Sequence, residues 1–149
     1  MELIQRVEAL LEKAPVCFLA YEDGEGYPIT KAMLPPRERN GLREIWFSTN
    51  TSSRKVQAFQ ANPKASVYFI DAETFQGVSL AGAVEVLETP EAKKRLWRAG
   101  DELYYRRGVT DPDYCVLRFT AAKGRYYQNF RSEDFTVNSE INHREGNMP

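Results

Sequence analysis

Trp46-Phe47-Ser48-Thr49-Asn50-Thr51-Ser52-Ser53-Arg54-Lys55 takes an apolar strand into a run of hydroxyl side chains, and the run opens a helix on two cations. The first turn of a helix leaves backbone N–H groups unpaired and carries partial positive charge. One capping residue needs one hydroxyl, and Ser48 to Ser53 supplies five within six positions. Cations in a first turn are disfavoured by the helix dipole unless an anion lies there too. The pattern therefore predicts an anion site, with a phosphate as the best match.

Around this junction the chain punctuates itself clearly. Glu2 to Lys13 places Leu3, Val7, Leu10 and Leu11 on one helical face, and Pro15 ends it. Val16 to Tyr21 and Tyr27 to Leu34 read as a hairpin across Asp23-Gly24-Glu25-Gly26. Pro35-Pro36 closes the second strand, and Arg37 to Asn40 reads as a solvated loop. Leu42 to Ser48 is a third strand, followed by a helix from Ser52 to Ala61 that ends at Asn62-Pro63. Ala65 to Ile70 and Gly77 to Leu87 are further strands, with Gly82 at a bulge or bend. Thr89-Pro90-Glu91 opens a third helix carrying Leu96, Trp97 and Leu103. Tyr114 to Thr120 and Arg125 to Phe130 follow as strands, with a turn at Lys123-Gly124.

Six or seven strands with three short helices predict a closed or nearly closed antiparallel barrel. Helices and strands do not alternate, and no G-x-G-x-x-G is present, so a parallel dinucleotide-binding sheet is the weaker reading. The chain reads as one domain over residues 1–138 with a polar tail at 139–149.

Composition narrows the function. The 149 residues are 42% apolar and 28% charged, as in an ordinary globular domain, and the net charge of −1 gives no field favouring nucleic acid. No apolar run approaches the roughly 20 residues of a membrane helix, and the N-terminus lacks a signal-peptide layout, so the expected compartment is the cytoplasm. Cys17 and Cys115 sit in apolar runs and read as small buried hydrophobes. The single histidine, His143, lies in the tail, which argues against a His-based metal site or a Ser-His-Asp apparatus. Chemistry on such a chain needs a borrowed reagent.

Three further candidates accompany the junction. Lys31-Ala32-Met33-Leu34 offers a strand edge and one cation. Gln76, in Phe75-Gln76-Gly77, offers an amide to a heterocycle, or is simply a turn residue. Trp97, Tyr104 and Tyr105 read as core or interface aromatics.

Phe47-Ser48-Thr49-Asn50, Ser53-Arg54-Lys55 and Asn62-Pro63-Lys64-Ala65 together resemble the FMN-binding split barrels related to pyridoxamine phosphate oxidase. Phe75-Gln76-Gly77, Leu96-Trp97 and Thr110-Asp111-Pro112-Asp113-Tyr114 point to the general-stress-protein branch. The resemblance covers about residues 3 to 135. It implies a mainly β fold, a six-stranded antiparallel Greek-key split barrel with about three flanking helices. Thr49, Arg54 and Lys55 are then expected to hold the FMN phosphate, with Ser48 and Ser53 beside them. Lys31, Ala32, Met33 and Leu34 are expected along the isoalloxazine and ribityl chain. Gln76 is expected to reach the flavin, one residue off the oxidase spacing. The implied assembly is a homodimer with FMN at the subunit interface, without nucleic acid or membrane. Lys31 stands where the oxidase pattern begins with Arg, and Pro36 where it ends with Lys. The oxidase's Arg-x-His is absent too; the late strand reads Arg125-Tyr126-Tyr127. The expectation is an oxidoreductase distinct from pyridoxamine phosphate oxidase itself, or a non-catalytic flavin-binding or sensing module in a stress response. A haem or deazaflavin occupant is a further alternative, the former lacking an obvious histidine ligand.

Overall fold

The computed structural model describes residues 2–137; the polar tail and His143 lie outside them. The helices are α1 (Leu3–Lys13), α2 (Arg54–Ala61) and α3 (Pro90–Leu96). The strands are β1 (Cys17–Glu22), β2 (Pro28–Met33), β3 (Glu38–Asn40), β4 (Glu44–Asn50), β5 (Lys64–Asp71), β6 (Gln76–Leu87), β7 (Tyr114–Gln128) and β8 (Arg131–Thr136). All eight strands belong to one antiparallel sheet, ordered β2-β1-β5-β6-β7-β4-β3, with β8 pairing β7. The sheet curls without closing, which makes this a mainly β, split-barrel-like fold.

The inner face of the sheet and helices α1 and α2 enclose the main core. Leu19, Val67, Val78, Leu80, Leu117 and Phe119 meet Val7 and Leu10 of α1 and Val56 and Phe59 of α2. Phe59 also sets its ring edge-on to Tyr21 at 5.5 Å. Cys17 and Cys115 are buried, unbridged members of this core.

Three readings of the sequence need correction. Lys123-Gly124 is no turn, because β7 runs through it unbroken. The register against β6 shifts there, pairing Ala81 with Lys123 and Gly82 with Ala121, so Ala122 is an extra residue that bends the strand without ending it. Gly82 permits that approach: a Cβ there would lie 2.0 Å from the Thr120 carbonyl oxygen. Gly124 is small to admit the Phe135 ring. The second correction concerns Arg37 to Asn40, where residues 38–40 form strand β3 on β4. Arg39, expected in solvent, donates to Glu8 at 3.3 Å, to Glu12, and to the Gly41 carbonyl at 2.7 Å. Thirdly, α3 stops at Leu96; Gly100 turns left-handed (φ 101°), and Leu103 lies exposed in a separate 3-10 turn. The Thr89 cap itself forms as expected, accepting from the Ala92 N–H at 3.3 Å.

A second, smaller core lies under α3, where Trp46, Leu96, Tyr114 and Val116 pack together. Arg95 and Arg118 stack over Trp46 at 4.2 and 5.4 Å. Arg37 fastens the following segment by a two-pronged pair with Asp101 at 2.8 and 2.9 Å and a bond to the Leu96 carbonyl at 3.0 Å. The Arg37 guanidinium holds the Asp101 carboxyl below the usual carboxylate range against the opposing effect of burial. A carboxylate depressed in the folded state stabilises above its unfolded pKa of about 4 and loses that contribution as pH falls through the lower folded value. Asp101→Asn is expected to cost about 3 kcal/mol, read as a Tm lower by roughly 6–12 °C, and to flatten the wild-type loss of stability below pH of about 4. Thermal melts across pH 2–7 check both.

Candidate functional site

The β4–α2 junction is assembled from both ends. On β4, Ser48 pairs with Val116 and Thr49 with Cys115. Tyr114 Oη donates to the Lys93 carbonyl at 3.1 Å, which leaves Ser48 Oγ to donate to Tyr114 Oη at 3.4 Å. Asp113 clamps the hydroxyl run: its carbonyl accepts from the Thr51 N–H at 2.7 Å and its carboxylate from the Ser52 N–H at 2.8 Å. Asn50 reaches Ser52 Oγ at 3.0 Å. The loop is therefore fixed before α2 begins.

The helix start is chemically unfinished. Ser53 is the N-cap residue by position, yet its side chain makes no capping bond, and its Oγ is buried without a partner. Thr51 Oγ1 is likewise buried outside hydrogen-bond geometry. It lies beside the Cys115 thiol, which burial pushes up and which Thr51 and Lys55 pull partly back. Lys55 is only 7% exposed and forms no ion pair among the described residues. Its ammonium is held below the ordinary lysine value, first by burial and next by repulsion from Lys31. Arg54 is exposed and also unpaired among those residues. Lys55 and Lys31 thus lie within electrostatic reach of each other beside a helix N-terminus with an orphaned hydroxyl, and Lys55 has no ion-pair partner among the described residues.

The repulsion between Lys31 and Lys55 also locates β2. Lys31 is on β2, which pairs with β1, and α2, which carries Lys55, packs on β1, so the two ammonium groups come within electrostatic reach. Lys31 pairs with Leu19 and shares the Met33 face of the strand. Met33 is buried, whereas Lys31, Ala32 and Leu34 are exposed. A cleft of about 610 Å³ opens beside Arg54, between α2 and the β1–β2 hairpin tip at Glu22 to Glu25.

Gln76 is not part of this gathering. It pairs with Asp71 at the opposite end of β5 from Ala65, a separation of roughly 20 Å along the strand. Its Oε1 accepts from Tyr126 Oη at 2.5 Å, and its Nε2 donates to Thr74 Oγ1 at 2.7 Å. Sequence reasoning overlooked Asp113, which lies in a turn-like Asp-Pro-Asp, and the burial of Lys55. Among the described residues no three His, Cys, Asp or Glu side chains are placed to hold a metal ion, and no helix is long and apolar enough to cross a membrane.

The sequence profile described as pyridoxamine 5'-phosphate oxidase matches residues 3–128. The chain belongs to that family. Within the pyridoxamine 5'-phosphate oxidase fold it is similar to a solved protein from Clostridium acetobutylicum related to general stress protein 26 of Bacillus subtilis. The two are 36% identical over 90% of this chain and 94% of the other, with a TM-score of 0.82. An FMN-binding, pyridoxamine 5'-phosphate oxidase-related protein from Nostoc punctiforme is 15% identical over 90% of this chain and 95% of its own (TM-score 0.69). A heme binding protein from Mycobacterium smegmatis is 18% identical over 91% of this chain and 58% of its own (TM-score 0.73). The last two share the fold. No curated protein matches the chain.

Proposed function

We propose that this chain is an FMN-binding flavoprotein acting as an oxidoreductase, with the flavin phosphate at the start of α2. The observation that carries the reading is the positive charge there: buried Lys55, without a counter-ion among the described residues, beside the orphaned Ser53 hydroxyl and a helix N-terminus with no side-chain cap. A phosphate monoester satisfies all three, whereas an uncharged ligand leaves the Lys55 charge unanswered. Thr49, Arg54 and Lys55 would hold the phosphate with Ser48 and Ser53, while Lys31, Ala32, Met33 and Leu34 would follow the rest of the molecule. Membership of the family and the FMN-binding relative from Nostoc support the choice of flavin. Bound flavin supplies hydride or single-electron chemistry that these side chains lack.

The residues lie on an open surface, with Arg54 and Lys31 exposed, which suits a site completed by a second copy of the chain at a homodimer interface. Gln76 would join such a site only from that second copy. Two free buried cysteines suit the reducing cytoplasm.

Purified protein is expected to be yellow, or to become so with added FMN, at about one flavin per chain; colourless protein that binds no FMN sinks the proposal. Affinity carries a pH signature as well. Phosphate binding needs charged Lys55, whose pKa is lowered in the folded chain. FMN affinity is therefore expected to fall with rising pH before an ordinary lysine near 10.4 would titrate. Over the same window the ligand-free protein gains stability, because the unfolded chain still binds the proton that the folded chain has released. Fluorescence titrations and melts between pH 7 and 11 test the pair of trends.

A non-catalytic flavin-binding module is the second reading. It is favoured by the composition of the junction, where hydroxyls and cations bind but offer no group suited to proton transfer near neutral pH. Reduced holoprotein mixed with oxygen, quinones and nitro compounds separates the two, since only the oxidoreductase turns over.

A further inference from the structure

The cleft beside Arg54 follows α2 from end to end. Arg54 stands at the start of the helix. Tyr21 of β1 pairs with Ala65 of β5, and Asn62 and Pro63 join α2 to that strand, so the β1–β2 turn lies by the other end of the helix. The cleft of about 610 Å³ between them is lined by α2 from Arg54 to Ala61, a rise of roughly 10 Å.

Its two ends differ in chemistry. At the Arg54 end are a guanidinium and the positive pole of the helix; at the Ala61 end are the negative pole and the carboxylates of Glu22, Asp23 and Glu25. Among the described residues no ion pair joins Arg54 to any of them, although all line one cleft. Glu22 Oε1 accepts from the N–H groups of Gly24 and Gly26, both at 2.7 Å. Asp23 Oδ1 accepts from those of Glu25 at 2.8 Å and Tyr27 at 3.2 Å. One oxygen fixes each carboxylate to the turn, and the other is left to accept from a ligand. Tyr21, Ile29 and Ala58 supply an apolar wall between the ends, with the Tyr21 ring braced edge-on by Phe59 at 5.5 Å.

A ligand suited to this cleft carries an anion at one end and hydrogen-bond donors at the other, with flat apolar surface to set against the wall. A second anionic group at the far end would meet three carboxylates and be repelled. An adenosine phosphate meets all of these demands: its ribose hydroxyls and adenine amine are donors, its purine is flat, and carboxylates are common partners of ribose. The cleft also opens at the turn of α2 where the flavin phosphate is placed.

We propose that the site takes its flavin as the dinucleotide FAD, with the second phosphate on Arg54 and the adenosine in the cleft, its donors on Glu22 and Asp23. This rests on the flavin reading and deepens it: Lys55 answers the phosphate that FMN and FAD share, and the cleft chooses between them.

The test is fluorescence titration of flavin-free protein with FMN and with FAD. FAD is expected to bind at least about tenfold more tightly. Ala61→Trp sets an indole into the cleft from an exposed position at the end of α2, and is expected to lower the FAD-to-FMN affinity ratio about tenfold or more. Glu22→Gln with Asp23→Asn keeps the oxygen that each residue gives to the turn and removes both charges; the ratio is expected to fall about threefold or more. Melts without ligand check that both variants fold. FMN bound as tightly as FAD or more tightly, or a ratio unchanged in folded Ala61→Trp protein, overturns the proposal and leaves the flavin reading standing. Binding of neither flavin overturns both.

Discussion

FMN affinity is expected to fall about 10²- to 10⁴-fold in Arg54→Ala, Lys55→Met, while riboflavin, which lacks the phosphate, binds the variant as it binds the parent. Charge-assisted hydrogen bonds contribute about 1.5–3 kcal/mol each, and each 1.4 kcal/mol is tenfold in affinity. The ligand-free variant is expected to be at least as stable as the parent. Lys55 is buried with no counter-ion among the described residues and is repelled by Lys31, so an apolar side chain of similar length removes a desolvation cost. Methionine also fills the space that alanine would leave empty. Fluorescence titration with both flavins and melts without ligand check the three parts together. Equal losses for FMN and riboflavin would move the phosphate away from α2.

The second large effect is on the fold. Gly82→Ala is expected to destabilise by about 3 kcal/mol or more, since its Cβ would fall 2.0 Å from the Thr120 oxygen and 2.8 Å from its carbon. Both contacts are backbone atoms of the central β6–β7 pair, which cannot yield without opening the bulge. Gly100→Ala provides the contrast: it needs a left-handed backbone (φ 101°) but has open space around it, and is expected to cost only about 1–2 kcal/mol. Urea unfolding of the two variants side by side would show whether crowding outweighs backbone strain.

The junction was legible because its chemistry is contiguous. Ser48 to Lys55 carries strand, hydroxyls and cations in one stretch, and the structure keeps them together. The burial of Lys55 was not legible, because it depends on α2 packing on β1 and β6, next to the strand that carries Lys31. Asp113 escaped notice for a related reason: its sequence reads as a turn, and its task is to hold a loop far away in sequence. Gln76 shows the converse. The resemblance implied a flavin contact one residue off the oxidase spacing, whereas long-range pairing puts Gln76 at the far end of the sheet within its own chain, its amide held by Tyr126 and Thr74. Strand β7 was divided at Lys123-Gly124 because a lysine and a glycine between apolar runs look like a turn. The glycine answers instead to the packing of Phe135.

Ala122 gives the chain an odd count at one place. Without it, continuous pairing from Gly82 and Ala121 would set Leu80 opposite Lys123 and Val78 opposite Arg125. With it, Gly124 and Tyr126 take those inner positions, and Arg125 and Tyr127 turn to the outside. One small residue thus acts as a parity switch for half a strand. Upstream of it, β7 follows the register of the Ser48–Thr49 ladder; downstream it follows its own. The two ends of the molecule can therefore change their side chains independently while sharing one continuous backbone.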